Sequence, residues 1–284
     1  MENNALNQNE AATLYIVSTP IGHLDDMTFR GVETLKRVDY ILAEDTRVSG
    51  NLLKAYGIDT PLKSYHAHNE KAMTEGIINW LEQGFDLALI SDAGTPLIAD
   101  PGETLIKTLS KAGFNLTTVP GPTALISGLI MSGIETHPFT FYGFLPQKTT
   151  ARDKLLRGLI SHPYTLVFYE SPKRIHKTLE AMYRMLGDRE AFMAREMTKL
   201  YEETYRFTLS EYGEIPELKG EIVLVIKGSQ EAPLIEGDMV EHVELLMEDG
   251  LREMDAIKKV AKLRNLKKNT VYMAFQNAKK KDEE

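Results

Sequence analysis

The stretch DLALISDAGTPLIADPG, residues 86–102, decides the fold. Its first five residues form a short apolar run bounded by turn residues, which is typical of a buried β-strand. Two prolines and two glycines follow within the loop at 91–102, and a helical pattern covers 102–112. A long ordered loop of this composition is often functional, because its small residues let the backbone approach a ligand. The stretch therefore predicts one strand–loop–helix unit with a candidate site in its loop.

The same unit recurs through the first half of the chain. Further buried strands are predicted at 14–18, 40–43 and 116–119, and further helices at 28–38, 46–56 and 69–83. Thr28 is a predicted N-cap, whereas Gly57 and Gly84 are predicted helix stops. Alternating strands and helices predict a mostly parallel sheet covered on both faces. Ligands of such sheets bind at the carboxyl ends of the strands.

A second α/β unit is predicted after residues 143–146 (GFLP), which interrupt the pattern. Its helices are expected near 151–160 and 172–186, and its strands at 165–169, 191–195, 205–209 and 221–227. Residues 204–209 alternate as a half-exposed antiparallel strand does. Residues 228–237 have the composition of a linker, and three short helices are predicted beyond it, at 238–248, 253–264 and 268–278.

These patterns divide the chain into an N-terminal disordered tail, two α/β domains, a linker and a helical module. The predicted bounds are 1–12, 13–120, 121–228, 229–237 and 238–284.

The charge of the chain is unevenly distributed. The 33 Lys and Arg against 41 Asp and Glu give a net charge of −8, which by itself argues against a nucleic-acid partner. Residues 147–199, however, hold 11 basic and 6 acidic side chains, and residues 251–284 hold 10 and 5. A phosphate backbone responds to local charge, so these two basic blocks are either phosphate-binding surfaces or solvated helix faces.

The composition also excludes some classes of protein. The chain has no cysteine, which excludes a disulfide scaffold, a Cys-based metal site and a thiolate nucleophile. Residues 1–12 lack the basic start and apolar run of a signal peptide, and no apolar stretch approaches the ~20 residues of a membrane span. We therefore expect a cytoplasmic protein.

Seven loop segments, which form five candidate sites, carry residues suited to chemistry. Three are rich in Pro, Gly and small residues and follow predicted strands, at 18–23, 91–102 and 119–124, where Pro122 is expected at the first position of a helix. A fourth, polar candidate site is formed by residues 44–47 (EDTR) and 65–70 (YHAHNE). A fifth, basic candidate site is formed by residues 168–174 and 195–199. Carboxylates, Arg and His suit acid–base work or a polar substrate, and basic residues at a helix start suit an anion. A helix cap with an ion pair is the alternative for 44–47. His66 and His68 lack the partner set of a metal site, so no metal is expected.

Taken together and in order, these segments resemble the tetrapyrrole methylase superfamily, in its branch that modifies small-subunit ribosomal RNA. The resemblance covers about residues 13–228. The motifs that carry it are TPIGHLDD (19–26), AEDTR (43–47), SYHAHNE (64–70), SDAGTPLIADPG (91–102), VPGPTAL (119–125), GFLPQK (143–148), FYESPKR (168–174), REMTKLYEE (195–203) and KGEIVLVIKG (219–228).

The resemblance implies two α/β domains, one with a parallel and one with a mixed sheet, and a cofactor cleft between them. It implies methyl transfer from S-adenosyl-L-methionine to the ribose 2′-hydroxyl of a cytidine in the decoding region of 16S rRNA, by a homodimer. The residues that it places at the cofactor are Pro20, Ile21, Gly22, Gly94, Thr95, Ile98, Thr123, Ala124, Tyr169 and Glu170.

The hydroxyl proton needs an acceptor, for which Glu44, Asp45, His68 and Glu70 are the candidates. The candidates for binding or orienting the RNA substrate are Arg47, His66, Asn69, Lys173, Arg174 and Lys199. The predicted C-terminal module resembles a helix-turn-helix extension, with Ile257, Val260 and Ala261 inward. It is either a phosphate-binding or a dimerisation module.

Two other functions stay open. One is methylation of a tetrapyrrole or another small molecule by the same superfamily. The other is a non-catalytic protein of ribosome assembly that binds S-adenosylmethionine or RNA.

Overall fold

The computed structural model describes residues 12–229, 239–248, 250–264 and 266–282. Residues 1–11 of the predicted tail and 230–237 of the predicted linker lie outside the described residues. Ala12, which the sequence analysis placed in the tail, is buried in the core of the first sheet.

The first half of the chain forms a five-stranded parallel sheet in the order β3-β2-β4-β1-β5. Its strands are β1 (Thr13–Val17), β2 (Tyr40–Ala43), β3 (Leu62–Ser64), β4 (Leu87–Ile90) and β5 (Asn115–Val119). Its helices are α1 (Phe29–Arg37), α2 (Thr46–Ala55), α3 (Glu70–Glu82) and α4 (Glu103–Ala112), with a 3-10 turn at Leu24–Asp26. Apolar clusters cover both faces of the sheet, which confirms the predicted α/β class.

The helix ends follow the predicted signals. The Thr28 side chain accepts a hydrogen bond from the Gly31 amide at the start of α1. Gly57 and Gly84 have φ of 60° and 90° just beyond α2 and α3, a conformation that glycine adopts without strain.

The second half forms a mixed sheet in the order β6-β7-β10-β8-β9, in which β6 and β7 are parallel and the other neighbours antiparallel. The strands are β6 (Phe139–Phe144), β7 (Thr165–Glu170), β8 (Glu190–Arg195), β9 (Glu203–Thr208) and β10 (Ile222–Ile226). The helices are α5 (Ala124–Ser132), α6 (Thr149–Arg157) and α7 (Ile175–Leu186), with a 3-10 helix at Leu209–Glu214.

Three elements differ from the prediction. Strand β3 was not predicted, because three residues carry too little periodicity. Residues 143–146 were predicted to interrupt the pattern, but Gly143 and Phe144 are the last two residues of strand β6 and follow a bulge in it. Pro122 is not in a helix; Thr123 is the N-cap of α5 and the helix begins at Ala124.

The C-terminal module consists of α8 (Met239–Glu248), α9 (Glu253–Leu263) and α10 (Lys268–Asp282). Ile257, Val260 and Ala261 of α9 are buried between the helices, as predicted. None of the helices in the described part of the chain combines the length and apolar character that a membrane span requires.

Candidate functional site

A cleft of about 360 Å³ lies where the carboxyl ends of β2 and β4 and the loop after β1 face the second domain. The first domain contributes the loops after its strands, as expected for a parallel sheet. The second domain contributes the start of α5, the end of β7 and the turn before β10. The lining residues are Ile21, Glu44, Asp92, Ala93, Gly94, Thr95, Ile98, Ala99, Asp100, Thr123, Ala124, Phe144, Tyr169, Glu170, Ser171, Pro172, Met197, Gly220, Glu221, Ile222 and Val223.

The loop after β4 forms the floor of the cleft and is held against the loop after β1. Thr19 donates its amide to the Gly94 carbonyl at 2.8 Å and accepts the Gly94 amide at 3.1 Å. Gly94 has a φ of 77°, and a side chain there would meet Ile21 at 3.2 Å. Leu97 and Ala99 also have positive φ, a strained conformation for residues other than glycine. The fold maintains this conformation, in which Ala93, Gly94 and Ala99 line the floor with little or no side chain.

Hydrogen bonds join this floor to the start of α5. The Thr95 hydroxyl lies 2.9 Å from that of Ser18 and 3.1 Å from the Pro122 carbonyl. The Leu125 amide donates to the Tyr169 hydroxyl at 3.0 Å, and burial raises the pKa of Tyr169. The two domains therefore share one hydrogen-bonded frame around the cleft.

The first-domain wall of the cleft carries three carboxyl groups, from Glu44, Asp92 and Asp100. Burial, and then the negative charge of Glu44, raises the pKa of Asp100 to about 6. Burial and the charge of Asp92 raise the pKa of Glu44, against an opposing effect of His66. Asp92 accepts the Asp45 amide at 3.1 Å, which fixes the loop that presents Glu44.

The second-domain wall carries two more carboxyl groups, but each has a cationic partner. Glu170 is 2% exposed and accepts from Arg174 at 3.2 Å, from the Ser171 amide at 2.8 Å and from the Thr178 hydroxyl at 2.6 Å. Glu221 pairs with Lys199 at 2.9 Å. Within the described ranges, no Lys, Arg or His lines the cleft.

Comparisons with known proteins match residues 13–213 to the family model of tetrapyrrole (corrin/porphyrin) methylases. The chain is 43% identical over 278 residues to ribosomal RNA small subunit methyltransferase I of Bacillus subtilis, a match that covers 94% of this chain and 95% of the relative. It is 44% identical over 269 residues to the Haemophilus influenzae protein of the same name, which covers 91% and 94%.

The chain belongs to the ribosomal RNA small subunit methyltransferase I family.

Solved structures support the tetrapyrrole methylase fold of this family member. Cobalt precorrin-4 methyltransferase superposes with a TM-score of 0.60 at 18% identity, covering 78% of this chain and 97% of that one. Uroporphyrin-III-C-methyltransferase from Thermus thermophilus gives 0.53 at 18% identity, with 76% and 94% covered. At such low identity, these two structures establish the fold alone.

The residues that the family motifs place at the cofactor are mostly brought together. Eight of the ten line the cleft; Pro20 and Gly22, from the loop after β1, do not. Gly22 instead packs against the loop after β8, where an added Cβ would lie 2.4 Å from Lys199 Cγ and 2.7 Å from Thr198 Oγ1. Of the eight, Glu170 has both carboxyl oxygens bound to residues around the start of α7, so its role in the wall is structural.

The four candidate proton acceptors differ in whether they line the cleft and in whether their side chains are already bound. Only Glu44 lines the cleft. Asp45 caps α2 and binds Arg47 through both oxygens, and these hydrogen bonds hold the pKa of Asp45 below its usual range. Glu70 accepts from the buried Tyr65 hydroxyl at 2.9 Å and the Leu105 amide at 3.3 Å. His68 is exposed beside His66, with ring centroids 5.9 Å apart.

The candidate RNA-binding residues are likewise split between free and engaged side chains. Lys173 is exposed, and Arg47 is 89% exposed although it is bound to Asp45. Arg174 and Lys199 hold Glu170 and Glu221. Asn69 stabilises its own turn, accepting the His66 amide at 2.8 Å and donating to the Ser64 carbonyl at 2.9 Å.

The cleft residues that sequence reasoning did not assign to a role in the site include Asp92, Asp100, Phe144, Met197 and Glu221. Asp92 and Asp100 lie in the loop at 91–102, which was predicted to be functional from its length and composition, but the sequence analysis gave neither residue a role in the site. Asp100 is partly buried and Asp92 is exposed, and their position beside Glu44 has no signal in the sequence. Among the described residues, no group of three or more His, Asp or Glu has the arrangement of a metal site.

Proposed function

We propose that this protein methylates small-subunit ribosomal RNA with S-adenosyl-L-methionine, on the ribose 2′-hydroxyl of a cytidine in the 16S decoding region. The observation that carries the proposal is the convergence of eight motif residues on one cleft in a chain that matches rRNA methyltransferases over nearly its full length. The RNA specificity rests on those relatives and on the motifs at 43–47 and 64–70, which lie beside the cleft.

The lining of the cleft fits this methyl donor. Ala93, Gly94, Ala99 and Ala124 leave room in the floor, and Ile21 and Met197 add an apolar wall. S-adenosylmethionine supplies a methyl group on a positively charged sulfur. The charged side chains on the lining are all carboxylates. Glu44, Asp92 and Asp100 favour a cation in the cleft by Coulomb attraction. The residues that would hold the donor are therefore those of the floor and of this wall.

Glu44 is the proposed proton acceptor for the ribose hydroxyl. It is the one candidate base on the cleft, and its raised pKa makes it a stronger base than an ordinary carboxylate. Glu70 and Asp45 are proposed instead to hold the loops on either side, since Asp45 binds Arg47 through both oxygens and Glu70 accepts two hydrogen bonds at Oε1. Positioning of the hydroxyl by these loops supplies the remaining requirement of the transfer.

The RNA is proposed to approach over the loops that carry Arg47 and Lys173, because these exposed cations lie outside the acidic cleft. The C-terminal module is a second proposed contact, through Lys267 and Lys268. Gln276 and Lys279 contribute less, since both bind Glu253 at 2.8 Å. A dimerisation role for this module remains the alternative, and the whole enzyme is proposed to act as a homodimer.

Transfer of tritiated methyl from S-adenosylmethionine into purified small subunits and into free 16S rRNA tests the proposal. We expect label in RNA, mapped to one cytidine ribose. Label in a tetrapyrrole but in neither RNA substrate would support the small-molecule alternative. Donor binding without any transfer would support a non-catalytic assembly protein.

Single-turnover transfer tests the role of Glu44. Glu44→Gln is expected to slow the step by at least about 100-fold, because general-base catalysis contributes 10²–10⁴-fold. Glu75→Gln, an exposed change on α3, is the matched control and should leave the rate unchanged. An unaltered rate in Glu44→Gln would exclude Glu44 as the base.

A further inference from the structure

The carboxyl groups of Glu44, Asp92 and Asp100 share the cleft without a counter-charge of their own. None of the three forms an ion pair with Lys or Arg among the described residues, whereas both carboxyl groups of the opposite wall do. Like charges held together in a partly buried site repel one another. Burial is the largest cause of the raised pKa of Glu44 and of Asp100, and repulsion from the neighbouring carboxylates raises both further.

This arrangement distinguishes the two forms of the cofactor. S-adenosylmethionine has a sulfonium, whereas S-adenosylhomocysteine, which remains after transfer, has a neutral sulfide. The two molecules share their other charged groups, so the apolar floor and the hydrogen-bonding frame treat them alike. Apart from the contacts of the methyl group itself, the electrostatic contribution from the wall is what differs between them.

We propose that Asp100, together with Glu44 and Asp92, selects the positively charged methyl donor over its neutral product. The inference rests on the proposed use of S-adenosylmethionine and goes beyond it, since it assigns a specificity role to Asp100, a residue that the family resemblance did not place at the cofactor. Uncompensated carboxylates attract the donor into the cleft and lose that attraction once the sulfur is neutral. The wall therefore favours binding of the donor and release of the product.

The groups that face Asp100 determine how this selection depends on pH. Glu44, Asp92 and Glu221 face it with negative charge, the Ser91 hydroxyl donates to it, and the Tyr169 hydroxyl lies nearby. Lys199 offsets the charge of Glu221, and His66 and Asp45 face Glu44. Since the pKa of Asp100 is about 6 without ligand, its carboxylate is lost as the pH falls through that value.

Isothermal titration calorimetry of the full chain tests the proposal with three ligands. These are S-adenosylmethionine, S-adenosylhomocysteine and sinefungin, which has an ammonium group near the position of the sulfonium. For Asp100→Asn we expect an affinity about tenfold lower for the two cationic ligands, with less than about a twofold change for S-adenosylhomocysteine. Glu103→Gln is the matched control, because it removes one negative charge at an exposed position outside the cleft and should change none of the affinities.

The wild-type protein provides a second measurement that needs no variant to fold. Its preference for S-adenosylmethionine over S-adenosylhomocysteine should fall by about tenfold between about pH 8 and about pH 5. A preference that stays constant over this range would overturn the proposal. An equal loss for all three ligands in Asp100→Asn, or no loss for any, would also overturn it. Failure of the wild type to bind any of the three would instead contradict the proposed cofactor.

Discussion

The two walls of the cleft are built from the same kind of residue and differ in what surrounds it. On the second-domain wall, Glu170 and Glu221 each meet a cation within 3.2 Å. On the first-domain wall, Glu44, Asp92 and Asp100 meet one another instead. A carboxylate with its own cation is part of the framework, whereas one without a cation is available to a ligand.

This difference predicts opposite effects of removing a carboxyl group on the two sides. Truncating a paired, buried carboxylate leaves its cation uncompensated and lowers the free energy of unfolding. Removing one of several mutually repelling carboxylates relieves repulsion, and should therefore raise the free energy of unfolding. Stability in the absence of ligand therefore separates framework carboxylates from ligand-binding ones without an assay of activity.

The largest expected effect is that of Glu170→Ala. The substitution leaves Arg174 without its carboxylate partner and the Thr178 hydroxyl without its acceptor, and it opens a space beneath the start of α7. Loss of one partner of a buried ion pair costs about 3 kcal/mol, and we expect the melting temperature to fall by about 10 °C. Differential scanning fluorimetry of the ligand-free protein measures this shift.

Glu180→Ala is the matched control on the exposed side of the same helix and should shift the melting temperature by less than about 2 °C. If Glu170→Ala melted at the wild-type temperature, the carboxylate would not be a framework element, and the contrast between the walls would disappear.

A smaller effect is expected of Gly22→Ala, at the contact between the two domains. The new methyl group would collide with Lys199 Cγ and Thr198 Oγ1, and so displace the lysine that offsets Glu221. Overpacking of this kind costs about 2 kcal/mol of unfolding free energy. Because the change disturbs geometry, it should weaken S-adenosylmethionine and S-adenosylhomocysteine alike, unlike Asp100→Asn.

Urea unfolding and calorimetry together check this prediction. Gly76→Ala is the control, because nothing lies within 4 Å of the added carbon in α3, and it should raise stability by about 0.5 to 1 kcal/mol. If Gly22→Ala were as stable as the wild type, the loop after β8 could move away from the added methyl group without loss of unfolding free energy. That loop would then not hold the two domains together.

The comparison also shows how far the sequence predicts this molecule. Strands β1, β2, β4 and β5 were predicted because each is a short apolar run that ends in turn residues. Helix α5 was predicted only at its start, because ALISGLIMS (124–132) is apolar on all sides and shows no helical period. The family resemblance assigned ten residues to the cofactor, and eight of them line one cleft in the structure.

The electrostatic difference between the walls was beyond such reasoning. Arg174 and Lys199 were candidates for binding RNA phosphate, but in the structure they neutralise Glu170 and Glu221. Glu221 is 22 residues from Lys199 along the chain, so no local sequence pattern predicts this ion pair. Whether a carboxylate is free depends on the position of every nearby cation, which only the tertiary structure provides.

The smallest expected effect, and the one of opposite sign, is that of Asp100→Asn on the ligand-free protein. The pKa of Asp100 is about 6 in the folded state, against about 3.9 for an ordinary aspartate in the unfolded chain. Its ionised form is therefore disfavoured by folding, and this cost is fully present above about pH 6 and disappears below about pH 4. Because the side chain is partly exposed, we expect the variant to be more stable by about 1 kcal/mol or less at pH 7, and equal to wild type near pH 4.

Urea unfolding at the two pH values measures this difference, and saturating S-adenosylmethionine should reverse its sign by stabilising the wild type more than the variant. A variant less stable than wild type at pH 7 without ligand would place Asp100 among the framework carboxylates. The expected result would mean that this wall gives up stability in the empty protein because its charge is arranged for a cationic ligand.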